Sequence, residues 1–438
     1  MRPYWTKVVV AIFIVSTFSL AGCATTPVIR VDQGKPQDYL VDLEQQLRED
    51  SHQLQEKLAR EGALYDDPAL TGYLRELGHK LIPPNLPDGL LEYDFLLIRD
   101  PTVNAVSFPN GKTYYHLGLL AHMRTPAMLA AVMAHEISHA LHRDMVYLRD
   151  DLRQKTIAAK LAQITLVPGA ALFGFGDLAN LLLNTSYAAS VTGYGRDKEA
   201  RADLYALERL QAAGMNPAAI NQVFEIFLKE EERFKQGLEI WFLMSHPTTR
   251  QRLADTKKWL EEHGLKMAAP LEDDLGFLKF TDPARIEAAN LNIRYGRYFH
   301  ALDILQDVKS RQPDDPNVLC LEAECYLRLT QDERSAETEL SSKSWAEVRP
   351  KNEAAWKQTW EEKTKGLLDT VLSQHPNLPN AHRELGLFYA ARSEKLLAIQ
   401  HLESYLALKP DAKDRRFVTS QMEELRQIDE SKPAHSRR

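Results

Sequence analysis

The sequence predicts a mainly helical α+β fold, in which a first domain holding a small β-sheet is followed by an all-helical repeat domain. Three observations carry that reading. Apolar residues recur at helical spacing along most of the chain, short strand-like runs cluster between residues 91 and 116, and from about Pro283 the pattern is helical with a period of roughly 34 residues. With 438 residues, 44% of them hydrophobic, the chain can bury two cores. Its net charge of −7 and lack of a basic stripe argue against nucleic acid as a partner.

Residues 1–22 read as a lipoprotein signal peptide. Arg2 and Lys7 precede an apolar run from Val8 to Leu20, and Leu20-Ala21-Gly22-Cys23 forms a lipoprotein-type cleavage box. The run is too short to span a bilayer. Cleavage before Cys23 makes that thiol the lipidated N-terminus, and the net charge falls from −7 to −9 because Arg2 and Lys7 are the only charges removed. Ala24 in place of an aspartate resembles an outer-membrane sorting signal. The expected location is the bacterial envelope, lipid-anchored at the periplasmic face of the outer membrane; a plain secretory signal with an unmodified Cys23 is the competing reading. Residues 23–35 read as a tether.

The expected first domain spans 36–262. Asp38 to Arg60 is amphipathic through Leu40, Leu43, Leu47, Leu54 and Leu58. Strand-like runs follow at Leu91–Ile98, Ala105–Phe108 and Thr113–His116. Thr125-Pro126 then reads as an N-cap with proline at the first helical position, opening a helix with an apolar stripe of Leu129, Met133, Ile137, Ala140 and Leu141.

That helix carries His135-Glu136-Ile137-Ser138-His139. At about 100° and 1.5 Å per residue, the two histidines stand roughly 40° and 6 Å apart, so both imidazoles reach one ion. Glu136 lies about 100° round from His135, free to act as general base toward water. HExxH alone arises by chance in roughly a few per cent of chains this long, so a second element is needed. Catalytic zinc takes three protein ligands. His142 and Met145 occupy the positions where HExxHxxGxxH would need glycine and histidine, which excludes that arrangement. Glu199-Ala200-Arg201-Ala202-Asp203, in a helical segment through Leu204, Leu207 and Leu210, offers Glu199 as third ligand to one Zn²⁺ per chain. Asp203, one turn on, would accept a hydrogen bond from the outer nitrogen of a ligating histidine.

These motifs, with Asn104-Ala105-Val106-Ser107-Phe108-Pro109-Asn110-Gly111 before the first and Ser245-His246-Pro247 after the second, resemble the gluzincin-type peptidase family. That family contains the CAAX prenyl proteases, HtpX, the mitochondrial Oma protease and envelope proteases with helical repeats. The resemblance covers roughly residues 36–262 and is nearest in organisation to the repeat-bearing members. It implies zinc-dependent endoproteolysis of polypeptides at or near a membrane. It implies also that Asn104 to Phe108 form the edge strand that pairs with an extended substrate; an ordinary hairpin is the alternative. His246 would lie near the metal, either stabilising an oxyanion or occupying the open zinc position in a latent state, two roles that predict opposite effects of His246→Ala.

Leu161 to Tyr194 is apolar and rich in small residues, reading as a buried helix pair with a lid or a bilayer-dipping loop as alternatives. After a linker at 263–282, residues 283–428 read as tetratricopeptide-like repeats. Leu385, Gly386, Tyr389, Ala398, Leu402 and Pro410 mark the clearest unit, Ala289, Ala301, Leu305 and Pro313 a second, and Ala323 with Tyr326 opens a third. Gln331 to Trp360 reads as an insertion or degenerate repeat. Cys320 and Cys325, about 140° apart on one helix, are placed for burial rather than a disulfide. Residues 429–438 form a charged tail. The expected function is a membrane-tethered zinc endopeptidase that cleaves misfolded or stalled outer-membrane proteins, its repeats engaging assembly machinery. The alternative is a non-proteolytic chaperone or scaffold that works through the repeats with a latent zinc site.

Overall fold

The computed structural model describes residues 28–84, 86, 91–154, 195–234, 249–265, 272–331, 333–349 and 352–427. The signal peptide with Cys23, the apolar segment 161–194, His246 and the tail lie outside the described residues. Helix α1 (Asp38–Arg60) buries Leu40, Leu43, Leu47, Leu54 and Leu58 along one face. Helix α2 (Pro68–Leu81) starts at Asp67, whose carboxylate accepts from Leu70 N at 2.9 Å. Gly78 lets α2 lie directly on the sheet, because a Cβ there would collide with the Phe95 ring.

Strands β1 (Asp94–Ile98), β2 (Ala105–Ser107) and β3 (Lys112–His116) run in the order β1-β3-β2, with β1 parallel and β2 antiparallel to β3. Among the described residues, β2 is therefore an edge. The short helix α3 (Leu117–His122) leads into α4 (Pro126–Leu141), the helix of the paired histidines. The expectation of a single apolar stripe on α4 gives way here, since every residue from Met128 to Leu141 is buried. A helix enclosed on all sides must be the centre of its domain. Its neighbours are α2, β2, α6 (Arg196–Ala212) and α7 (Ala219–Arg233). Helix α5 (Asp144–Gln154) packs on α1, and α8 (Thr249–Glu262) on α6 and α7.

Residues 28–35, within the expected tether, lie against this domain. Val31 is buried, and Arg143 donates to Ile29 O at 2.7 Å and Gly34 O at 2.8 Å. Part of the expected linker is helical. Helix α9 (Leu275–Arg294) begins before Pro283, capped by Asp274, which accepts from Phe277 N at 2.9 Å. Pro283 removes one rung of the helical ladder without ending it.

Helices α9 and α10 (Tyr298–Arg311) pair, as do α15 (Pro379–Ala391) and α16 (Lys395–Leu408), while α11 (Pro316–Gln331) packs against α14 (Glu353–Gln374). The stretch read as an insertion holds α12 (Glu333–Glu339) and α13 (Ser342–Val348), and α17 (Arg415–Gln427) packs on α16. The two cores do not divide at residue 283. One apolar cluster continues from Leu70 through α4 to Trp360, and a second fills the later helices around Leu385 and Leu402. Cys320 and Cys325 are both buried free thiols. No described helix is long and apolar enough to cross a membrane.

Candidate metal centre

Thr125 Oγ1 accepts from Met128 N at 3.2 Å and Pro126 occupies the first turn, so α4 starts where threonine and proline direct it. His135 and His139 share one face, their Nε2 atoms 3.1 Å apart. From α6, Glu199 places Oε2 at 3.5 Å from His135 Nε2 and Oε1 at 3.6 Å from His139 Nε2. Ligand atoms of these three residues all lie within 4.8 Å of one another.

Each imidazole is held from behind by a carboxylate. Asp203 Oδ1 stands 3.0 Å from His135 Nδ1, and Asp144 Oδ2 stands 2.9 Å from His139 Nδ1. A proton on Nδ1 leaves the Nε2 lone pair as donor. With both imidazoles neutral, two such lone pairs facing each other beside a carboxylate repel unless a metal ion or a proton stands between them. Two nitrogens on one tetrahedral zinc, at bond lengths of ~2.05 Å, would be about 3.3 Å apart, close to the observed separation. The donor set fits Zn²⁺. In the metal-free chain burial works against a charge on His135, but Asp203 and Glu199 outweigh it and lift the imidazole to about 9. His139 is lowered by burial, with the neighbouring His135 adding to the effect.

Asp144 escaped the sequence reading because it lies beyond the end of α4. Arg143 adopts a left-handed backbone, φ 54°, and this reversal places Asp144 beside His139. A non-glycine residue in that conformation costs roughly 1–2 kcal/mol. Glu44, 3.0 Å from Arg143 Nε, and the carbonyls of Ile29 and Gly34 hold it there. Asp144 also accepts from Arg201. Burial opposes its ionisation, yet His139 and Arg201 keep the carboxyl below its ordinary value.

Arg252 is a functional residue that the sequence reading did not single out. From α8 its guanidinium meets Glu199 Oε2 at 2.9 Å and Asp203 at 2.5 and 2.8 Å, over the Phe224 ring at 4.7 Å. No spacing in the sequence links position 252 to 199 and 203; only the packing of α8 on α6 does. Glu136 is 1% exposed and lies within electrostatic reach of Tyr115 and Arg252.

Asn104, Ala105, Val106, Ser107 and Phe108 are all buried, with β2 packed on α4. Asn104 O accepts from His116 N, and Phe108 N donates to Lys112 O, both at 3.0 Å. By antiparallel alternation, the backbone groups of Ala105 and Ser107 face away from β3.

Residues 68–260 match the profile of Peptidase family M48. The beta-barrel assembly-enhancing protease of Escherichia coli K12 is 29% identical over 197 residues, 44% of this chain and 39% of its own. Its counterpart in Vibrio cholerae is 30% identical over 214 residues, 47% of this chain and 43% of its own. The mitochondrial metalloendopeptidase OMA1 of Schizosaccharomyces pombe is 28% identical over 176 residues, 40% of this chain and 49% of its own. The chain thus spans less than half the length of each of these relatives. Residues 68–260, which carry the zinc-type donor set, are thus similar to the zinc-dependent metallopeptidases of family M48.

Proposed function

We propose that this chain is a zinc endopeptidase that cleaves polypeptides in the bacterial envelope. The observation that carries the reading is the convergence of His135, His139 and Glu199, with Asp203 and Asp144 fixing the two imidazoles. When bound, the ion supplies Lewis acidity toward water and the scissile carbonyl. Glu136 takes the proton of the attacking water and passes it to the leaving amine. Burial of Glu136 keeps its carboxylate away from competing solvent. An extended substrate adds to the β2 edge through the outward backbone groups of Ala105 and Ser107, a mode that reads main chain more than side chains.

Residues 36–262 serve as the peptidase unit and 283–428 as tetratricopeptide-like repeats that engage substrates or assembly partners. Relatives named for β-barrel assembly support an outer-membrane setting, and lipidation at Cys23 would anchor the chain there. The test is Glu136→Gln beside His135→Ala. Glu136→Gln is expected to retain one zinc per chain and lose activity by about 10²–10⁴-fold, whereas His135→Ala loses both. Undiminished proteolysis by Glu136→Gln overturns the mechanism; an inactive Glu136→Gln with full cellular function points instead to a scaffold acting through its helices.

A further inference from the structure

Between the peptidase domain and the first helical hairpin lies a cavity of about 250 Å³. At water's share of ~30 Å³ its interior has room for roughly eight non-hydrogen atoms, and because it is half open to solvent a ligand can extend beyond it. Val103, Ile226, Phe234 and Ile304 supply apolar wall. Arg297, at the start of α10, borders the cavity and is only 6% exposed. Its Nε and Nη2 are buried and have no hydrogen-bond partner among the described residues. The guanidinium carbon stands 6.0 Å from the centroid of the Tyr295 ring, a cation–π contact at the limit of its range. Nor is Arg297 paired with an acid among the described residues: Asp303 is held by Arg233, Asp307 by Arg124 and Arg311, and Glu230 faces His122 at 3.8 Å. The α10 N-terminus is already capped by Glu339, which accepts from Phe299 N and His300 N at 3.0 and 2.7 Å. A buried guanidinium without acceptors is costly, so an uncompensated one beside a cavity points to an anion that completes it.

The other walls narrow the chemistry. Glu230, Asp303 and Asp307 border the same space and would repel a doubly charged phosphate more than a carboxylate. Asn292 donates to Ala288 O at 3.0 Å and leaves its Oδ1 buried without a donor. A ligand that presents carboxylate oxygens to Arg297, an N–H to Asn292 and a short aliphatic group to the apolar wall answers all three. We propose that this cavity binds the carboxylate of an N-acylated small aliphatic amino acid, as found at the C-terminus of a polypeptide or in a free acylamino acid. The inference is independent of the zinc chemistry.

The full chain should bind N-acetylvaline saturably in calorimetry, and N-acetylvalinamide, which lacks the charge, at least about tenfold more weakly. Arg297→Met should abolish the binding while its ligand-free Tm is no lower than that of the wild type, because an unpaired buried charge has been removed. A longer peptide ending in valine that binds tighter than N-acetylvaline identifies a polypeptide end as the source; equal or weaker binding identifies the free acid. Absence of saturable binding at roughly 10 mM ligand, equal affinity for acid and amide, or binding that survives in Arg297→Met would each overturn the assignment.

Discussion

Arg285→Met probes how the helical domain is joined to the zinc helix. The Arg285 side chain is fully buried on α9, donating to the carbonyls of Ala121 and Met123 and, through Nε, to Thr281 Oγ1 at 3.0 Å. Ala121 and Met123 end the helix before Thr125, the N-cap of α4, so a residue of the helical domain ties down the entry to the metal centre. Methionine matches the stem but leaves two buried carbonyls without donors, at about 1–3 kcal/mol each. The acids nearby stay compensated, since Asp282 pairs with Arg311 at 2.6 Å and Asp307 with Arg124 and Arg311. Some loss is offset because burial, only partly countered by Asp307, already pulls the guanidinium down to about 10. A net destabilisation of about 2–4 kcal/mol is expected. Urea titration should show a lowered midpoint with unchanged slope, and Arg285→Lys, able to serve one carbonyl, should fall between. A loss under about 1 kcal/mol refutes the idea that Arg285 bridges the two parts.

Asp144→Asn should weaken zinc binding about 10–100-fold, because asparagine neither carries the charge nor enforces the Nδ1–H tautomer of His139; competition against a calibrated chelator measures it, and unchanged affinity would dismiss the role. Glu384→Gln should alter the pH dependence of stability. Burial raises the Glu384 carboxyl to about 7, with Glu324 adding and Arg383 opposing. The folded state therefore holds the proton more tightly than the unfolded one, whose carboxyl titrates near 4.5, and stability declines as pH rises between those values. Relative to wild type, Glu384→Gln should gain Tm progressively from pH 5 to pH 8; a constant offset would show that Glu384 stays ionised throughout.

What the sequence revealed tracks how local each signal is. His135, Glu136 and His139 lie within one helical turn, and Thr125-Pro126 announces the start of that helix by nearest-neighbour chemistry. Glu199 and Asp203 share a second helix, so their four-residue spacing could be read as ligand and support. Asp144 was missed because its position depends on the left-handed backbone of Arg143, and nothing short of the packed contacts with Glu44, Ile29 and Gly34 shows that an arginine will adopt it. Arg252 was missed as a partner because ion pairs between separate helices leave no periodic trace. Where one core gives way to the next was not legible for a related reason. Helical periodicity shows that Ala284, Ala288 and Leu291 are buried, but not that they are buried against the preceding domain.

Charge at the metal centre leads to a final expectation. The carboxylates of Glu136, Glu199, Asp203 and Asp144 face two guanidiniums, Arg252 and Arg201. With both imidazoles neutral, as metal ligation requires, two negative charges remain in excess, the amount one divalent cation balances; in the metal-free chain a proton on His135 takes up one of them. Chelation should therefore destabilise the chain, by about 2.7 kcal/mol relative to free zinc at 100 times Kd, a figure that already contains the relief of this repulsion. Glu199→Gln separates ligation from repulsion: it removes a ligand, but also one of the surplus charges, while Arg252 keeps its two contacts to Asp203. Compared without metal, Glu199→Gln should be more stable than wild type by about 1 kcal/mol; compared with saturating zinc, the order should reverse. Calorimetric scans before and after chelation read both states. A metal-free Glu199→Gln variant less stable than metal-free wild type would mean that the carboxylates are balanced without a cation, and the electrostatic case for zinc at this site would fall with it.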